Sequence, residues 1–187
     1  MDIAEVHAAA LDATRVLVAG VGDDQWTLAT PCEDWDVRAL VNHLVTGNEW
    51  AAVRGAGNTI EAVGDRLDGD VLGDDPLAAY DASARRAAAV FRAPGALAAP
   101  CAVSYGPVPG EVYAGHRLLD TVLHGWDLAR ATGQPTGLDP ALVEAALAVL
   151  LPQADLLAGS GAFGNPTDPG EDVDPQLRLL ALTGRRD

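Results

Sequence analysis

The fold is decided by residues 111–132, EVYAGHRLLDTVLHGWDLARAT, which predict one long amphipathic helix. Apolar residues recur along this stretch at the spacing that places them on one helical face. Gly133 follows directly, and glycine commonly ends a helix in the left-handed conformation. Steps of four, four and three residues also put a polar stripe near one face. This polar stripe consists of His116, Asp120, His124 and Asp127.

Working outward, aspartate and proline mark the starts of further helices, because aspartate caps a helix and proline fits its first turn. The predicted segments run from about Asp2 to Ala19, from Asp36 to about Arg54, from Asp75 to Pro94, from Asp139 to about Leu151, and from Pro175 to Leu182. Pro152 is expected to kink the end of the fourth of these segments.

The composition agrees with a helical fold, since alanine and leucine dominate the 49% of apolar residues and aromatic residues are only 5%. We therefore predict one all-α domain over residues 1–187. Residues 58–75 are expected to form a loop with a short helix. Residues 98–110 are expected to form a long crossover, with an extended piece at 103–105. The tail, residues 159–187, is expected to wrap and dock on the bundle.

The formal net charge of −15 argues against binding of nucleic acid or of an anionic membrane, because both are polyanions. The two cysteines form no CxxC pair, so we expect no disulfide framework. No apolar run approaches the roughly 20 residues of a membrane span. The first residues lack the basic and apolar regions of a signal peptide. We therefore expect a cytoplasmic protein.

A metal ion is one interpretation of the polar stripe. Asp120 and His124 lie one helical turn apart, and imidazole and carboxylate ligands suit zinc, with nickel or iron as alternatives. A catalytic site needs a third protein ligand. His43 is the best candidate because it lies on another long amphipathic helix. The alternative interpretation is that Asp120 and His124 form a surface ion pair or a satisfied hydrogen bond in the core.

Other chemistry-bearing residues give weaker signals. Cys32 precedes two carboxylates, which would raise rather than lower the pKa of its thiol. Ser104 lacks the GxSxG motif of serine hydrolases. His7 and His116 are expected to be ordinary, partly exposed residues, although His116 is the one candidate general base. The tryptophans are expected in the core or as pocket walls, with Trp50 and Trp126 beside the metal.

Two segments resemble actinobacterial DinB/YfiT-like proteins: residues 30–44, TPCEDWDVRALVNHL, and residues 120–129, DTVLHGWDLA. The resemblance is to the group related to the metal-binding N-terminal domain of mycothiol-dependent maleylpyruvate isomerase, and residues 176–185 also resemble the end of that group. It implies a four-helix up-down-down-up bundle with an extra short helix. It also implies a divalent metal, most simply Zn²⁺, held by His43, Asp120 and His124.

The resemblance further implies a metal-dependent transferase or isomerase that uses a low-molecular-weight thiol such as mycothiol. The second substrate stays open, as does a homodimer like that of some relatives. The alternative is a non-catalytic metal-binding or ligand-sensing domain. Two departures bear on this choice: no further C-terminal domain is expected after the bundle, and Asp120 is one methylene shorter than the isomerase's glutamate.

Overall fold

The computed structural model describes residues 2–58, 63–104, 106–154 and 166–186, and it confirms the predicted all-α fold. The helices of this part of the chain are α1 (Ile3–Ala19), α2 (Val37–Gly55), α3 (Pro76–Arg92), α4 (Gly110–Thr132), α5 (Pro140–Leu150) and α6 (Pro175–Leu182). A short 3-10 turn, Leu151–Gln153, follows α5. None of the described helices has the length and apolar character to cross a membrane.

Aspartate side chains cap five of the six described helices, four of them at the predicted positions and the fifth at Asp174. Each accepts a hydrogen bond from a backbone N–H in the first turn, which satisfies a donor that the helix itself leaves unpaired. The capping residues are Asp2, Asp36, Asp75, Asp139 and Asp174. The predicted bounds of these helices therefore agree with the structure to within a few residues.

Helix α4 starts differently, after Pro109 and without a side-chain cap. The N–H groups of Gly110 and Glu111 donate instead to backbone carbonyls of the turn that precedes the hairpin, both at 2.8 Å. A Cβ atom on Gly110 would lie only 2.1 Å from the carbonyl oxygen of Ala96. Glycine is required there because the backbones approach so closely.

Helices α1 and α3 run antiparallel. Glu5, near the start of α1, pairs with Arg92 at the end of α3 at 2.7 Å. Arg15, near the end of α1, pairs with Asp81 near the start of α3, also at 2.7 Å. Both ion pairs are exposed and contribute little to stability, but they show how α1 and α3 are aligned.

Helix α2 runs parallel to α3, since Asn48 bonds Ser83 and Gly55, further along α2, meets Val90, further along α3. Helices α1 and α4 are also parallel, because Thr14 contacts Thr121, and Leu17, further along α1, meets Gly125, further along α4. Helix α2 runs antiparallel to α4, since His43 lies beside Asp120, while Gly47, further along α2, meets Arg117, which comes earlier in α4. The order is therefore up-down-down-up, as the resemblance implied.

A buried cluster packs between α2, its neighbours and the loop before α3. Its members are Val18, Val37, Leu40, Val41, Leu44, Val45, Leu72, Tyr80 and Leu128. The hydroxyl of Tyr80 donates to the carbonyl of Leu11 at 3.1 Å, so this aromatic ring enters the core without an unpaired polar atom. The cluster fixes α2, and with it His43, against the rest of the bundle.

The predicted crossover at residues 98–110 contains a two-stranded hairpin, β1 (Pro100–Val103) and β2 (Gly106–Pro109). The strands pair antiparallel, with Pro100 opposite Pro109. The extended piece expected at 103–105 therefore begins earlier and includes Val103 only at its end, while Tyr105 lies outside the described residues. Both outer positions hold proline, which has no N–H to contribute, so it is tolerated at strand ends.

The chain divides into two compact units, residues 1–135 and 136–187. The second unit contains α5 and α6, which pack together. The Gln176 amide also donates to the carbonyl of Thr136 at 2.9 Å, and its Oε1 accepts from the N–H of Leu138 at 2.8 Å. The expected docking of the tail on the bundle concerns the relation between the two units and stays a prediction. Part of that tail, residues 159–165, lies outside the described residues.

His7 was expected to be partly exposed, and that expectation is wrong. Its side chain is 0% exposed and packs edge-on against Phe91, with ring centroids 5.2 Å apart. Neither ring nitrogen has a hydrogen-bond partner among the described residues. Burial, assisted by the charges of Arg117 and Arg92, lowers the pKa of His7 to about 3. The ring is therefore neutral in the folded protein at any ordinary pH.

This buried histidine predicts a specific loss of stability in acid. The unfolded chain takes up the proton near the ordinary pKa of about 6.5, whereas the folded chain resists it down to about 3. Folding stability should therefore fall as the pH is lowered from 6.5 towards 4, by up to about 1.4 kcal/mol per pH unit from this group alone. Urea unfolding at several pH values, with His7→Leu as the comparison, measures it. Parallel pH profiles for the two proteins would contradict the prediction.

Candidate metal centre

Three side chains predicted as metal ligands meet between α2 and α4. The Nε2 atom of His43 lies 3.2 Å from Oδ1 of Asp120, and Nε2 of His124 lies 3.6 Å from the same oxygen. All three ligand atoms lie within 4.8 Å of one another. The side chains are 34%, 25% and 13% exposed for His43, Asp120 and His124, so the cluster is half-buried but still reachable from solvent.

The donor set fits a zinc-class ion. A tetrahedral ion with ligand bonds of about 2.0–2.2 Å holds its ligand atoms about 3.3 Å apart. The two separations measured from Asp120 lie on either side of that value. Two imidazole nitrogens and one carboxylate oxygen are also the mixed set found in open zinc sites, which keep a further position for water or substrate. The ligand atoms of these residues therefore have the chemistry and the spacing to hold a divalent metal ion.

Asp127 orients the His124 ring. Its Oδ2 atom accepts a hydrogen bond from Nδ1 of His124 at 2.9 Å, and its side chain is only 1% exposed. With the proton on Nδ1, the Nε2 lone pair points towards the Asp120 carboxylate. Two electron-rich atoms facing each other favour a cation between them. Carboxylate–histidine–metal chains have this arrangement, in which the outer carboxylate fixes the tautomer and the ring orientation.

Asp120 also pairs with Arg117, whose Nη1 lies 3.0 Å from Oδ2. Burial disfavours the charged form of Asp120, but the charge of Arg117 and the hydrogen bond from His43 outweigh it. Together they hold the pKa of this carboxyl well below its usual range. Asp120 is therefore an anion at neutral pH, as a metal ligand must be.

The turn before α2 supplies a wall for the site. The Thr30 hydroxyl donates to the Trp35 carbonyl at 2.9 Å and accepts from the Cys32 N–H at 3.1 Å, while Asp34 takes a positive φ of 66°. This tight turn places the Trp35 ring 4.7 Å from His43 and 5.7 Å from His124, measured between centroids. The indole therefore packs against both imidazoles and restricts their rotation.

The same turn brings Cys32 to the far side of His124. Its Sγ lies 3.3 Å from Oδ2 of Asp127 and 3.6 Å from Nδ1 of His124. These three residues form a second group whose ligand atoms lie within 4.8 Å of one another. The two groups share His124 but use different nitrogens of its ring, Nε2 in the first group and Nδ1 in the second. They are therefore two alternative positions for an ion.

A cavity of about 390 Å³ opens beside His43 and Asp120 of the first group. Its lining includes His43 and Asp120, together with Trp50, Arg54, Tyr113 and Arg117. Small-molecule sites are typically clefts of about 300–1,000 Å³ with a few convergent polar groups. The lining does not include Cys32 or Asp127. A ligand in this cavity would therefore meet His43 and Asp120 of the first group rather than Cys32 or Asp127.

Comparison with known families decides the relationship. The mycothiol maleylpyruvate isomerase N-terminal domain matches residues 7–129.

The chain belongs to this family.

The match spans all four bundle helices and every residue of both candidate metal groups. Two uncharacterized proteins of Mycobacterium tuberculosis, from strains CDC 1551 / Oshkosh and ATCC 25618 / H37Rv, are each 41% identical over 192 residues. These alignments cover 99% of this chain and 98% of each relative. No solved structure matches the chain significantly. The relationship to the mycothiol isomerase domain is thus at the level of the whole bundle.

Some expectations about the surroundings of the site need correction. Trp50 does line the cavity, but Trp126 is only 1% exposed and is absent from the lining. Trp126 is therefore a core residue, and Trp35 takes the place beside the histidines. His116 lines the cavity near Asp120, as its position one turn away predicted.

Sequence reasoning missed Arg54, Arg117 and the contact of Cys32 with Asp127. The i, i+3 spacing of Arg117 and Asp120 was an available signal for one of these contacts. The i, i+4 spacing of Trp50 and Arg54 was likewise an available signal for the stacking of Arg54, whereas no local pattern indicated the contact of Cys32 with Asp127.

Proposed function

We propose that the protein binds one zinc-class divalent ion through His43, Asp120 and His124 and uses it to activate a low-molecular-weight thiol. The observation that carries this proposal is the convergence of three ligand atoms, two of which belong to residues that line a cavity large enough for a small molecule, His43 and Asp120. Zinc suits the donor set best, with Ni²⁺ and Fe²⁺ as alternatives. A zinc-class ion would supply the lowering of a bound thiol's pKa that makes a thiolate available at neutral pH.

The protein's own residues have definable parts in such a site. Asp127 holds His124 with one nitrogen directed at Asp120, and Trp35 restricts both imidazole rings. Asp120 carries the negative charge that a cation would neutralise. The cavity beyond His43 would accept the remainder of the thiol and a second substrate.

Mycothiol is the proposed thiol because the chain belongs to the family of mycothiol maleylpyruvate isomerase N-terminal domains. The reaction class we propose is therefore a transfer or isomerisation that uses this thiol. His116 is the one candidate general base, since it lines the same cavity. Retention of the metal site for binding or sensing alone is the competing outcome of the test.

Calorimetric titration of the zinc-loaded protein with mycothiol and with simpler thiols tests this function. We expect saturable, mycothiol-selective binding to the loaded wild type and at least roughly tenfold weaker binding to His43→Ala, because that variant lacks one ligand. The control is His7→Leu, which removes a histidine that belongs to neither candidate metal group and does not line the cavity. If zinc-loaded wild type binds no thiol at millimolar concentration, the protein does not use a thiol and the binding-domain function replaces the transferase.

A further inference from the structure

Two arginines that line the cavity beside the metal ligands have buried N–H donors without a hydrogen-bond partner among the described residues. In Arg117, which is only 8% exposed, Nε and Nη2 are buried without a hydrogen-bond partner among the described residues. The Nε atom of Arg54 is likewise buried and unpartnered there. Buried donors without a partner are costly, so such groups usually serve a ligand or a water molecule.

The bundle makes room for the Arg117 guanidinium. A Cβ atom on Gly47 of α2 would lie 2.3 Å from Nη2 and 2.6 Å from the central carbon of that group. Glycine at this position lets the guanidinium lie directly against the backbone of α2. The Nη1 atom pairs with Asp120, whereas Nε and Nη2 have no hydrogen-bond partner among the described residues, in a side chain that lines the cavity.

Arg54 is held by aromatic rings rather than by a carboxylate. Its guanidinium carbon lies 4.6 Å from the Trp50 ring centroid and 5.6 Å from that of Tyr113. Within the described part of the chain it forms no ion pair. Stacking on aromatic faces positions a guanidinium while its in-plane donors stay available for an oxyanion.

The charge of the cavity is opposite to that of the protein. The chain carries a formal net charge of −15, yet the charged residues of the cavity lining are two arginines and one aspartate. A bound divalent ion would make this local charge more positive still. Such a site attracts small anions against the general repulsion of an acidic surface.

We propose that Arg54 and Arg117 form a binding subsite for the acidic group of a small organic anion, a carboxylate or a phosphate, beside the metal ligands. This subsite deepens the proposed function, because it names an anion as the class of substrate held in the cavity. Guanidinium groups bind both oxyanions through paired hydrogen bonds, so the two chemistries share one subsite. Its occupation does not require the metal.

Titration of the metal-free protein with succinate and, separately, with inorganic phosphate at low salt tests the subsite. We expect Arg54→Gln to weaken binding of the preferred anion roughly 10- to 100-fold, since a charge-assisted hydrogen bond is lost. Arg54→Lys, which keeps the charge, should bind with intermediate affinity. The matched control is Arg85→Gln, which removes the same charge from an exposed position and should change affinity less than about twofold.

The anion that binds more tightly identifies the acidic group of the ligand as a carboxylate or a phosphate. If neither anion binds, or if Arg54→Gln and Arg85→Gln bind as the wild type does, the subsite is refuted. Zinc affinity measured on the same proteins separates the two proposals. Unchanged zinc binding with no Arg54-dependent anion binding overturns the subsite alone, whereas Arg54-dependent anion binding without zinc binding overturns the metal function alone.

Discussion

Replacing His124 with alanine is expected to lower Zn²⁺ affinity by at least about 100-fold. Loss of a residue that only hydrogen-bonds a metal ligand typically lowers the affinity by about 10- to 100-fold, and loss of a ligand should lower it further. The variant loses the ligand atom that lies 3.6 Å from Asp120, and only His43 and Asp120 remain. Competition with a chromogenic chelator measures the affinity. Elemental analysis of protein purified without a nickel column measures the metal acquired during expression.

The matched control is His116→Ala, which removes a histidine from the same helix two turns away. It should retain zinc affinity within about threefold, because His116 lies outside both candidate metal groups. Equal, negligible metal in wild type and His124→Ala would refute the site. Two more variants separate the two groups: His43→Ala weakens binding if the ion lies beside the cavity, and Cys32→Ser weakens it if the ion lies on the cysteine side.

The second prediction concerns Asp127→Asn, which should lower Zn²⁺ affinity about 10- to 100-fold although Asp127 contributes no ligand atom to the proposed site. The aspartate accepts from Nδ1 of His124 at 2.9 Å and is completely buried. An amide of the same size accepts this bond without a charge, so the Nε2 atom becomes less basic and the ring less well oriented.

Asp12→Asn is the charge-matched control for this variant, since Asp12 is exposed on α1. It should bind zinc as the wild type does. Near-ultraviolet circular dichroism of both variants, recorded without metal, separates a loss of packing from a loss of affinity. Wild-type zinc affinity in a folded Asp127→Asn protein would contradict the positioning role of this carboxylate.

Local sequence signals predicted the helices well. Aspartate caps and Gly133 have direct effects on the backbone within one turn, so they are visible without the rest of the fold. The hairpin at residues 100–109 was not predicted, because it depends on pairing between two segments rather than on signals within one turn. Its three prolines disfavour a strand locally because proline has no N–H to donate, and the two strands become recognisable only through their pairing with each other.

By itself, the sequence determined the all-α class, the helix bounds and the placement of Asp120 and His124 on one face of α4, because helical periodicity depends only on neighbouring residues. Periodicity does not specify how closely two helices approach or what their facing side chains meet. The tertiary structure alone therefore decided that Cys32 reaches Asp127, 95 residues away, and that Gly47 admits the Arg117 guanidinium. It likewise buried His7, whose exposure depends on the side chains that pack against α1, Phe91 of α3 among them, rather than on its own helix.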